Sequence, residues 1–265
     1  MGRDSKIAWT NHTFNPWIGC TKLPDRPGCA NCYAAGMAKR VGWDNWGDAK
    51  ERRITSRANW QQPLKWDRDA EKAGVRARVF CGSMCDVFEA RDELALYRAN
   101  LFTLIEATPH LDWLLLTKRI DNSARMIPRP FLVNARLGIT VENQAIADRD
   151  IPKLLALDVP NFLSCEPLLG PIELSAFIGG PYVALPGDVI VPNRTEGIDW
   201  VIAGCESSGK REGRPMDLAW VRSLRDQCEA AEVPFFFKQH AVEGKIVAEP
   251  ELDGRVWLQT PGGEG

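Results

Sequence analysis

The stretch "DWLLLTKR" at residues 112–119 is a short apolar run that ends in polar and basic residues. Runs of this kind are typical of strands that are buried on both faces, as in a parallel sheet. Five further stretches share the pattern: "RVFCGSMCD" (78–86), "RLGITVEN" (136–143), "NFLSCEP" (161–167), "DWVIAGCES" (199–207) and "VPFFFKQH" (233–240). The repeated pattern predicts a sheet whose strands are mostly parallel.

Helical patterns lie between several of these runs. Residues 91–107 and 216–232 have apolar residues at helical spacing, and residues 141–157 are helical in parts but broken by Pro152. Strands that alternate with helices indicate βαβ units. With a further strand in "HTFNPWIG" (12–19), about seven units predict an α/β fold, either a full or partial (β/α) barrel or a doubly wound open sheet.

The bulk composition is that of a globular protein, with 265 residues of which 45% are hydrophobic and 26% are charged. We expect one domain over residues 1–265, with a loop insertion rich in Pro and Gly at about 172–197. The sequence has neither an apolar run long enough to cross a membrane nor a secretory leader, so we expect a cytoplasmic protein without a membrane partner. In that reducing compartment its eight cysteines favour metal ligands, catalytic thiols or small buried residues over disulfides.

A second insertion is expected at about residues 39–68, where eight basic residues outnumber four acidic ones and four tryptophans are interleaved. Basic side chains neutralise phosphates and indoles stack on bases, so this segment is a candidate nucleic-acid surface that includes Arg52 and Arg53. The plainer interpretation is a solvated segment whose tryptophans pack on the core.

Three cysteines lie close together in "NPWIGCTKLPDRPGCANCYAAG" (15–36). Eight residues separate Cys20 from Cys29, and two separate Cys29 from Cys32. A structural zinc site takes four ligands, so zinc would need a distant fourth ligand or an open position. A four-iron cluster held by three thiolates leaves one iron free for a small ligand. Unrelated thiols are the third interpretation.

Polar and ionisable residues follow almost every predicted strand. In α/β folds, ligands bind at the carboxyl ends of the strands. The residues expected there are Cys81, Ser83, Cys85, Asp86, Thr117, Lys118, Arg119, Thr140, Glu142, Asn143, Cys165, Glu166, Cys205, Glu206, Lys238 and Gln239. The cysteines of this set are expected to be either small buried residues or ligands of a second cluster, and Cys228 is expected to pack in a helix.

The cysteine-rich loop after a first strand resembles the radical S-adenosylmethionine superfamily. The usual pattern there is Cys-x-x-x-Cys-x-x-Cys, and this chain keeps the second interval but widens the first. The words "FNPWIGC", "GCANCYA", "LLLTKR", "ITVENQ", "EPLLGPI" and "VPFFFKQ" resemble one phage-associated branch over about residues 7–240. That branch is similar to radical enzymes of phage DNA hypermodification.

The resemblance implies a barrel of the radical type with an N-terminal cluster-binding loop. It implies a [4Fe-4S] cluster on Cys20, Cys29 and Cys32, with S-adenosylmethionine at the free iron as the source of a 5′-deoxyadenosyl radical. It places cofactor contacts at Asn31, Tyr33, Ser83, Asp86, Glu142, Asn143 and Glu166, and catalytic groups at Lys118, Glu206 and Lys238. The usual Gly-Gly-Glu motif is absent from the second strand end.

The implied reaction rearranges a modified base in phage DNA, such as N-linked glycinyl-thymidine to its C-linked isomer. The implied partners are DNA and an electron donor such as flavodoxin, in the host cytoplasm if the protein is phage-encoded. Two alternatives stay open: a radical lyase of DNA repair, and a non-catalytic nucleic-acid-binding protein stabilised by zinc.

Overall fold

The computed structural model describes residues 5–178, 182–185, 189–192, 197–207 and 213–263, with the backbone alone for 182–185 and 189–192. The chain forms two compact units, residues 1–137 and 138–265. The division falls within one strand, β6. The single domain expected over residues 1–265 stays a prediction.

The main sheet has eight strands in the order β1-β4-β5-β6-β7-β10-β11-β12. Its strands are β1 (His12–Phe14), β4 (Ala77–Cys81), β5 (Leu111–Thr117), β6 (Ala135–Thr140), β7 (Asn161–Cys165), β10 (Val201–Gly204), β11 (Phe235–Val242) and β12 (Lys245–Ala248). Within this sheet the pairs β1–β4, β4–β5, β7–β10 and β10–β11 are parallel, and the β11–β12 pair is antiparallel. Every apolar run singled out in the sequence overlaps one of the first seven strands. The predicted α/β class with a partial barrel is confirmed.

In the first unit, β1 aligns Phe14 with Cys81 of β4, and β4 aligns Cys81 with Leu115 of β5. Between and around these strands lie α1 (Pro27–Ala30), α2 (Tyr33–Arg40), α3 (Arg57–Trp60), α4 (Gln62–Ala73), a 3₁₀ turn (Asp92–Leu94), α5 (Ala95–Glu106) and α6 (Ile120–Met126). The core is aromatic: the ring of Phe14 meets Trp113 edge-on at 5.6 Å and Trp60 at 5.4 Å. This packing fixes β1, from which the chain enters the cysteine-rich loop.

The segment expected to be a basic insertion at 39–68 has its own secondary structure. Strand β2 (Trp17–Ile18) pairs antiparallel with β3 (Arg53–Ile54), and α3 and α4 follow. Arg52 and Trp66 are buried, so the expectation that Arg52 lies on an exposed basic rim is wrong. The reason is a carboxylate 37 positions away, Glu89, which draws the Arg52 guanidinium inside.

The second unit places α7 (Gln144–Leu155) and α8 (Leu218–Ala230) around β7, β10 and β11. Helix α7 continues through Pro152, so the predicted break there is wrong. A proline removes one backbone donor, but buried Ile151 and Leu154 on either side keep the helix against the core. Gly138 in β6 leaves room for Phe162, because an added Cβ would lie 2.2 Å from that ring.

The loop insertion expected at 172–197 contains a hairpin, β8 (Tyr182–Leu185) with β9 (Val189–Pro192), and its remaining residues at 179–181, 186–188 and 193–196 lie outside the described residues. A last hairpin, β13 (Glu251–Leu252) with β14 (Arg255–Val256), follows β12. Among the described residues, no helix combines the length and apolar character that a membrane crossing requires.

Candidate functional site: the cysteine loop and the strand ends

The three clustered cysteines occupy one loop of the first unit. Cys20 follows β2, Cys29 lies in α1, and Cys32 is the N-cap residue of α2. All eight cysteines are free thiols; these three are partly exposed, whereas the other five are buried. The loop thus presents the accessible thiols of the chain.

The entry to the loop requires a glycine. Gly19 has a φ of +116°, and a Cβ there would lie 2.2 Å from the Asn45 carbonyl oxygen. A residue with a side chain would be strained and would collide with that backbone. This close approach lets Cys20 form a β-bridge with Trp46.

Arg119, at the carboxyl end of β5, ties the loop to the sheet. Its Nη2 donates to the Thr21 carbonyl at 2.6 Å, and its Nη1 donates to Asp86 Oδ2 at 3.1 Å. The same Nη1 lies 3.5 Å from Cys20 Sγ. Burial raises the pKa of the Cys20 thiol to about 12, while the charge of Arg119 acts to lower that pKa.

Asp86 organises the end of β4 as a hydrogen-bond acceptor. Its carboxylate accepts from the Thr117 hydroxyl at 2.8 Å, the Lys118 backbone N–H at 3.1 Å and the Phe88 N–H at 3.0 Å. With Arg119, these partners occupy both oxygens of a side chain that was predicted to contact the cofactor. Asp86 therefore holds the ends of β4 and β5 together.

A second buried ion pair supports the loop from the other side. Arg52 donates to both carboxylate oxygens of Glu89, at 2.8 and 2.7 Å. Its remaining donors reach Thr21 Oγ1 and the carbonyls of Asn45, Gly47 and Lys50. Glu89 also accepts from the Thr21 backbone N–H at 2.9 Å, so both charged networks converge on the residue after Cys20.

The Cys29 and Cys32 half of the loop has separate anchors. Arg26, immediately before α1, donates to the Lys118 carbonyl at 2.9 Å. The Tyr33 hydroxyl, at the start of α2, donates to the Ser83 carbonyl at 2.6 Å. These contacts bring Tyr33, Ser83, Asp86 and Lys118, all predicted site residues, to the same loop, and Asn31 lies between the two cysteines.

Asn15 fixes the turn after β4. It is fully buried, its Nδ2 donates to Ser83 Oγ at 2.9 Å, and its Oδ1 accepts from the Met84 N–H at 2.7 Å. Because the Ser83 hydroxyl already accepts this bond, its own proton remains available to a further acceptor. The sequence analysis missed Asn15, although it sits directly after β1 in a Pro-containing turn.

The donor chemistry of the loop fits an iron–sulfur cluster, since soft thiolates are the protein ligands of such clusters. Within the described residues, no group of three or more His, Cys, Asp or Glu side chains is arranged to hold a metal ion. Neither the predicted set of Cys20, Cys29 and Cys32 nor a four-ligand zinc site forms such a group there.

The strand ends of the second unit carry two ion pairs. Lys238 of β11 pairs with Glu166, which follows β7. Glu206, which follows β10, is almost wholly buried and accepts from the Arg214 backbone N–H at 2.9 Å and from the Arg214 guanidinium. Glu166 and Glu206 therefore lie just past the ends of β7 and β10, whereas Lys238 is the fourth residue of β11. Arg214 is a partner that was not predicted from the sequence.

Cys205 immediately precedes Glu206 in the chain and is buried. Its thiol pKa is raised to about 11 by burial and by the nearby charge of Glu166, against the opposing charge of Lys238. Burial likewise raises the pKa of Cys81, Cys85 and Cys165. These thiols have the properties of small buried residues.

Glu142 and Asn143 follow β6. Glu142 is fully buried, and its backbone carbonyl accepts from the Leu169 N–H at 2.8 Å. Asn143 is the N-cap of α7, where its Oδ1 accepts from the Ile146 N–H at 3.1 Å. The capping bond occupies the amide oxygen and leaves the amide nitrogen as the polar group of Asn143 that can serve a ligand.

The sequence matches a family described as protein of unknown function (DUF5131) over residues 4–261. No curated protein sequence matches. Among solved structures, a spore photoproduct lyase variant aligns with a TM-score of 0.45 and 14% identity over 62% of this chain and 47% of its own. A variant of that enzyme with bound AdoMet and dinucleoside spore photoproduct aligns with a TM-score of 0.45 and 10% identity over 84% of this chain and 62% of its own. The chain thus spans less than two thirds of either structure, and a likeness this distant carries no argument about activity.

Proposed function

The chain belongs to the DUF5131 family of proteins of unknown function, and from the chemistry of its own residues we propose that it is a radical S-adenosylmethionine enzyme that acts on a base in DNA. The observation that carries this proposal is the division of the thiols. Cys20, Cys29 and Cys32 share one loop and are partly exposed, whereas the other five cysteines are buried. A merely structural set of thiols has no reason to divide in this way.

In the proposed enzyme, Cys20, Cys29 and Cys32 hold a [4Fe-4S] cluster. When bound, the cluster with S-adenosylmethionine supplies a 5′-deoxyadenosyl radical, which abstracts hydrogen from an unactivated carbon. An external electron donor such as flavodoxin supplies the electron. This follows from the family resemblance seen in the sequence, and the anchoring of the loop by Arg119, Glu89 and Arg26 supports it.

The residues around the loop would position the cofactor. Tyr33 and Asn15 hold the turn at Ser83, whose hydroxyl proton is then directed to an acceptor on the cofactor. Asp86 holds the two strand ends on which Ser83 and Lys118 stand. Asn31, Glu142, Asn143 and Glu166 complete the proposed set of cofactor contacts.

The ion pairs of the second unit would serve the substrate. Lys238 and Glu206 are the proposed catalytic residues there, with Lys118 in the first unit. Lys238 and Arg214 keep exposed side-chain fractions of 15% and 35% beside their carboxylate partners, so an anionic substrate group would approach the exposed side of these two cations. Such paired sites stay stable while they are empty.

The finer proposal is a rearrangement of an amino-acid-decorated thymine, such as N-linked glycinyl-thymidine to its C-linked isomer. A repair lyase is the alternative within the same chemistry. A base inside a duplex must leave the stack to reach a buried radical. Both reactions therefore require a protein that binds bases which have left the stack.

The first test is anaerobic reconstitution of the full chain with iron and sulfide. We expect about four irons and four sulfides per chain, and 5′-deoxyadenosine when dithionite and S-adenosylmethionine are added. Cys29→Ala should lose both the cluster and the cleavage. Cys228→Ala, at a buried cysteine of α8, is the matched control and should keep both.

The outcomes separate the candidate functions. A colourless protein that binds zinc through Cys29 and Cys32 would show the non-catalytic alternative instead. Product analysis on DNA with modified thymines, compared with DNA that carries photoproducts, then distinguishes the isomerase from the lyase.

A further inference from the structure

A cavity of about 480 Å³ lies beside α2 in the first unit, lined by Ala35, Lys39, Gly42, Trp43, Asp44 and Trp46. We propose that this cavity binds an unstacked base of single-stranded nucleic acid, with Lys39, Arg40 and Arg53 on the flanking phosphates. The inference rests on the proposed function for its meaning, because it assigns the enzyme's strand-binding surface. It adds a site that neither the ion pairs nor the cysteines provide.

Buried side chains hold the indole rings of Trp43 and Trp46 in place. Trp43 and Trp46 pack against a small buried cluster formed by Ile18, Ala34 and Met84. Both rings are therefore ordered before any ligand arrives and remain partly exposed. Rings fixed in advance lose little conformational entropy on binding, and a base can stack on them whatever its identity.

The rim of the cavity is basic. Arg53 is exposed, and its guanidinium lies 4.9 Å from the centroid of the Trp43 ring. Lys39 lines the cavity, and Arg40 is exposed beside it in the last turn of α2. The one carboxylate among the lining residues, Asp44, is paired with Lys50 Nζ at 2.5 Å. The surface thus complements a chain of phosphates that runs past stacked bases.

The cavity lies close to the cysteine loop. Cys32 packs on the same buried cluster as Trp43 and Trp46. A strand bound in the cavity would therefore lie alongside the cysteine loop.

The test measures binding of a fluorescein-labelled twelve-nucleotide oligothymidylate to the full chain by anisotropy over a range of salt concentrations. Arg53→Gln should weaken binding and make the salt dependence shallower by about 0.7 in the logarithmic slope, the value for one contact to a single strand. Trp43→Ala should weaken binding about 5- to 150-fold with the salt slope unchanged, as expected for the loss of one stacked base.

Arg255→Gln is the matched control. Arg255 lies 4.3 Å from the centroid of Trp257, so the variant removes the same charge and the same type of ring contact in the other unit. It should bind like the parent. If Trp43→Ala fails to fold, as judged by circular dichroism, Arg53→Gln at an exposed position decides the question.

The proposal is overturned if the parent binds the single strand no better than a duplex of equal length, or if both variants keep the parent's affinity. It is also overturned if the variants keep oligonucleotide binding but lose reduction by flavodoxin, because the surface then docks an acidic protein. The anisotropy measurement needs no cluster, so a chain that does not bind the oligonucleotide could still cleave S-adenosylmethionine. A failure of the proposed function would leave this binding intact.

Discussion

Ion pairs anchor the cysteine loop in the first unit, and others lie near the strand ends of the second unit. Both sets join an Arg or Lys to a carboxylate, but they differ in how far the charged groups are exposed. Arg52 and Glu89 have exposed side-chain fractions of 0% and 5%. Lys238 and Glu166 each retain 15%, and Arg214, the partner of buried Glu206, retains 35%. The Arg52–Glu89 pair commits its charges to the fold, whereas the two pairs of the second unit keep part of their charge accessible to a ligand.

The difference lies in how many donors are used. All five N–H donors of Arg52 face acceptors: a carboxylate, a hydroxyl and three carbonyls. Such a guanidinium has no donor left for a ligand. A partly accessible cation can present its exposed side to an anionic ligand while it keeps its carboxylate partner. Burial and donor count therefore separate positioning residues from binding residues better than charge alone.

Arg52→Ala should give the largest loss of stability. The change removes the bidentate partner of Glu89 and the Arg52 donor to the carbonyls of Asn45 and Lys50, which costs about 3–5 kcal/mol of the free energy of unfolding. Urea denaturation of the full chain measures this. Arg53→Ala, one position along and exposed, is the control and should change stability by no more than about 0.5 kcal/mol. Equal losses in the two variants would contradict the structural role of Arg52.

The fold class and its strands could be predicted from the sequence because an apolar run records local burial directly. "DWLLLTKR" contains all of β5 except Leu111, and "VPFFFKQH" contains most of β11. The role of Arg52 could not be predicted, because its partner Glu89 lies 37 residues away and nothing local distinguishes a buried arginine from an exposed one. A basic, tryptophan-rich segment looks uniform in sequence, yet Arg52 and Trp66 are buried while Arg53 is exposed.

The candidate site was predictable in its composition and not in its internal bonds. Strand ends pointed to Ser83, Asp86, Lys118, Glu166, Glu206 and Lys238, because polar residues after buried strands mark the ligand-binding edge of such sheets. Asn15, Glu89 and Arg214 were missed since each acts through a tertiary contact. Pro152 led to a wrong prediction of a helix break. Packing of the residues on both sides of it outweighed the tendency of proline to interrupt a helix.

Lys238→Met should give a smaller loss of stability. The pair with Glu166 is intermediate between exposed and buried ion pairs, so the loss should be about 1–2 kcal/mol. A double-mutant cycle with Glu166→Gln isolates the coupling between the two side chains. We expect the folded variant to lose turnover of a modified base while it still cleaves S-adenosylmethionine. A loss as large as that of Arg52→Ala would show that this pair, too, is committed to the fold.

The effect that is smallest at neutral pH concerns the buried thiol of Cys228 in α8. Burial raises its pKa from 9.0 to about 12. A pKa raised by folding means that the native state holds the proton more tightly, so the stabilisation is complete below about pH 9 and is lost as the pH rises toward about 12. Relative to Cys228→Ala, the parent should lose roughly 1 kcal/mol of stability per pH unit in this window. Denaturant melts from pH 8 to 11 measure the difference.

Val221→Ala, at a buried position without a titrating group on the same helix, should differ from the parent by a constant amount. A constant difference for Cys228→Ala as well would mean that the thiol ionises as easily in the folded chain as in water, and that α8 does not shield it.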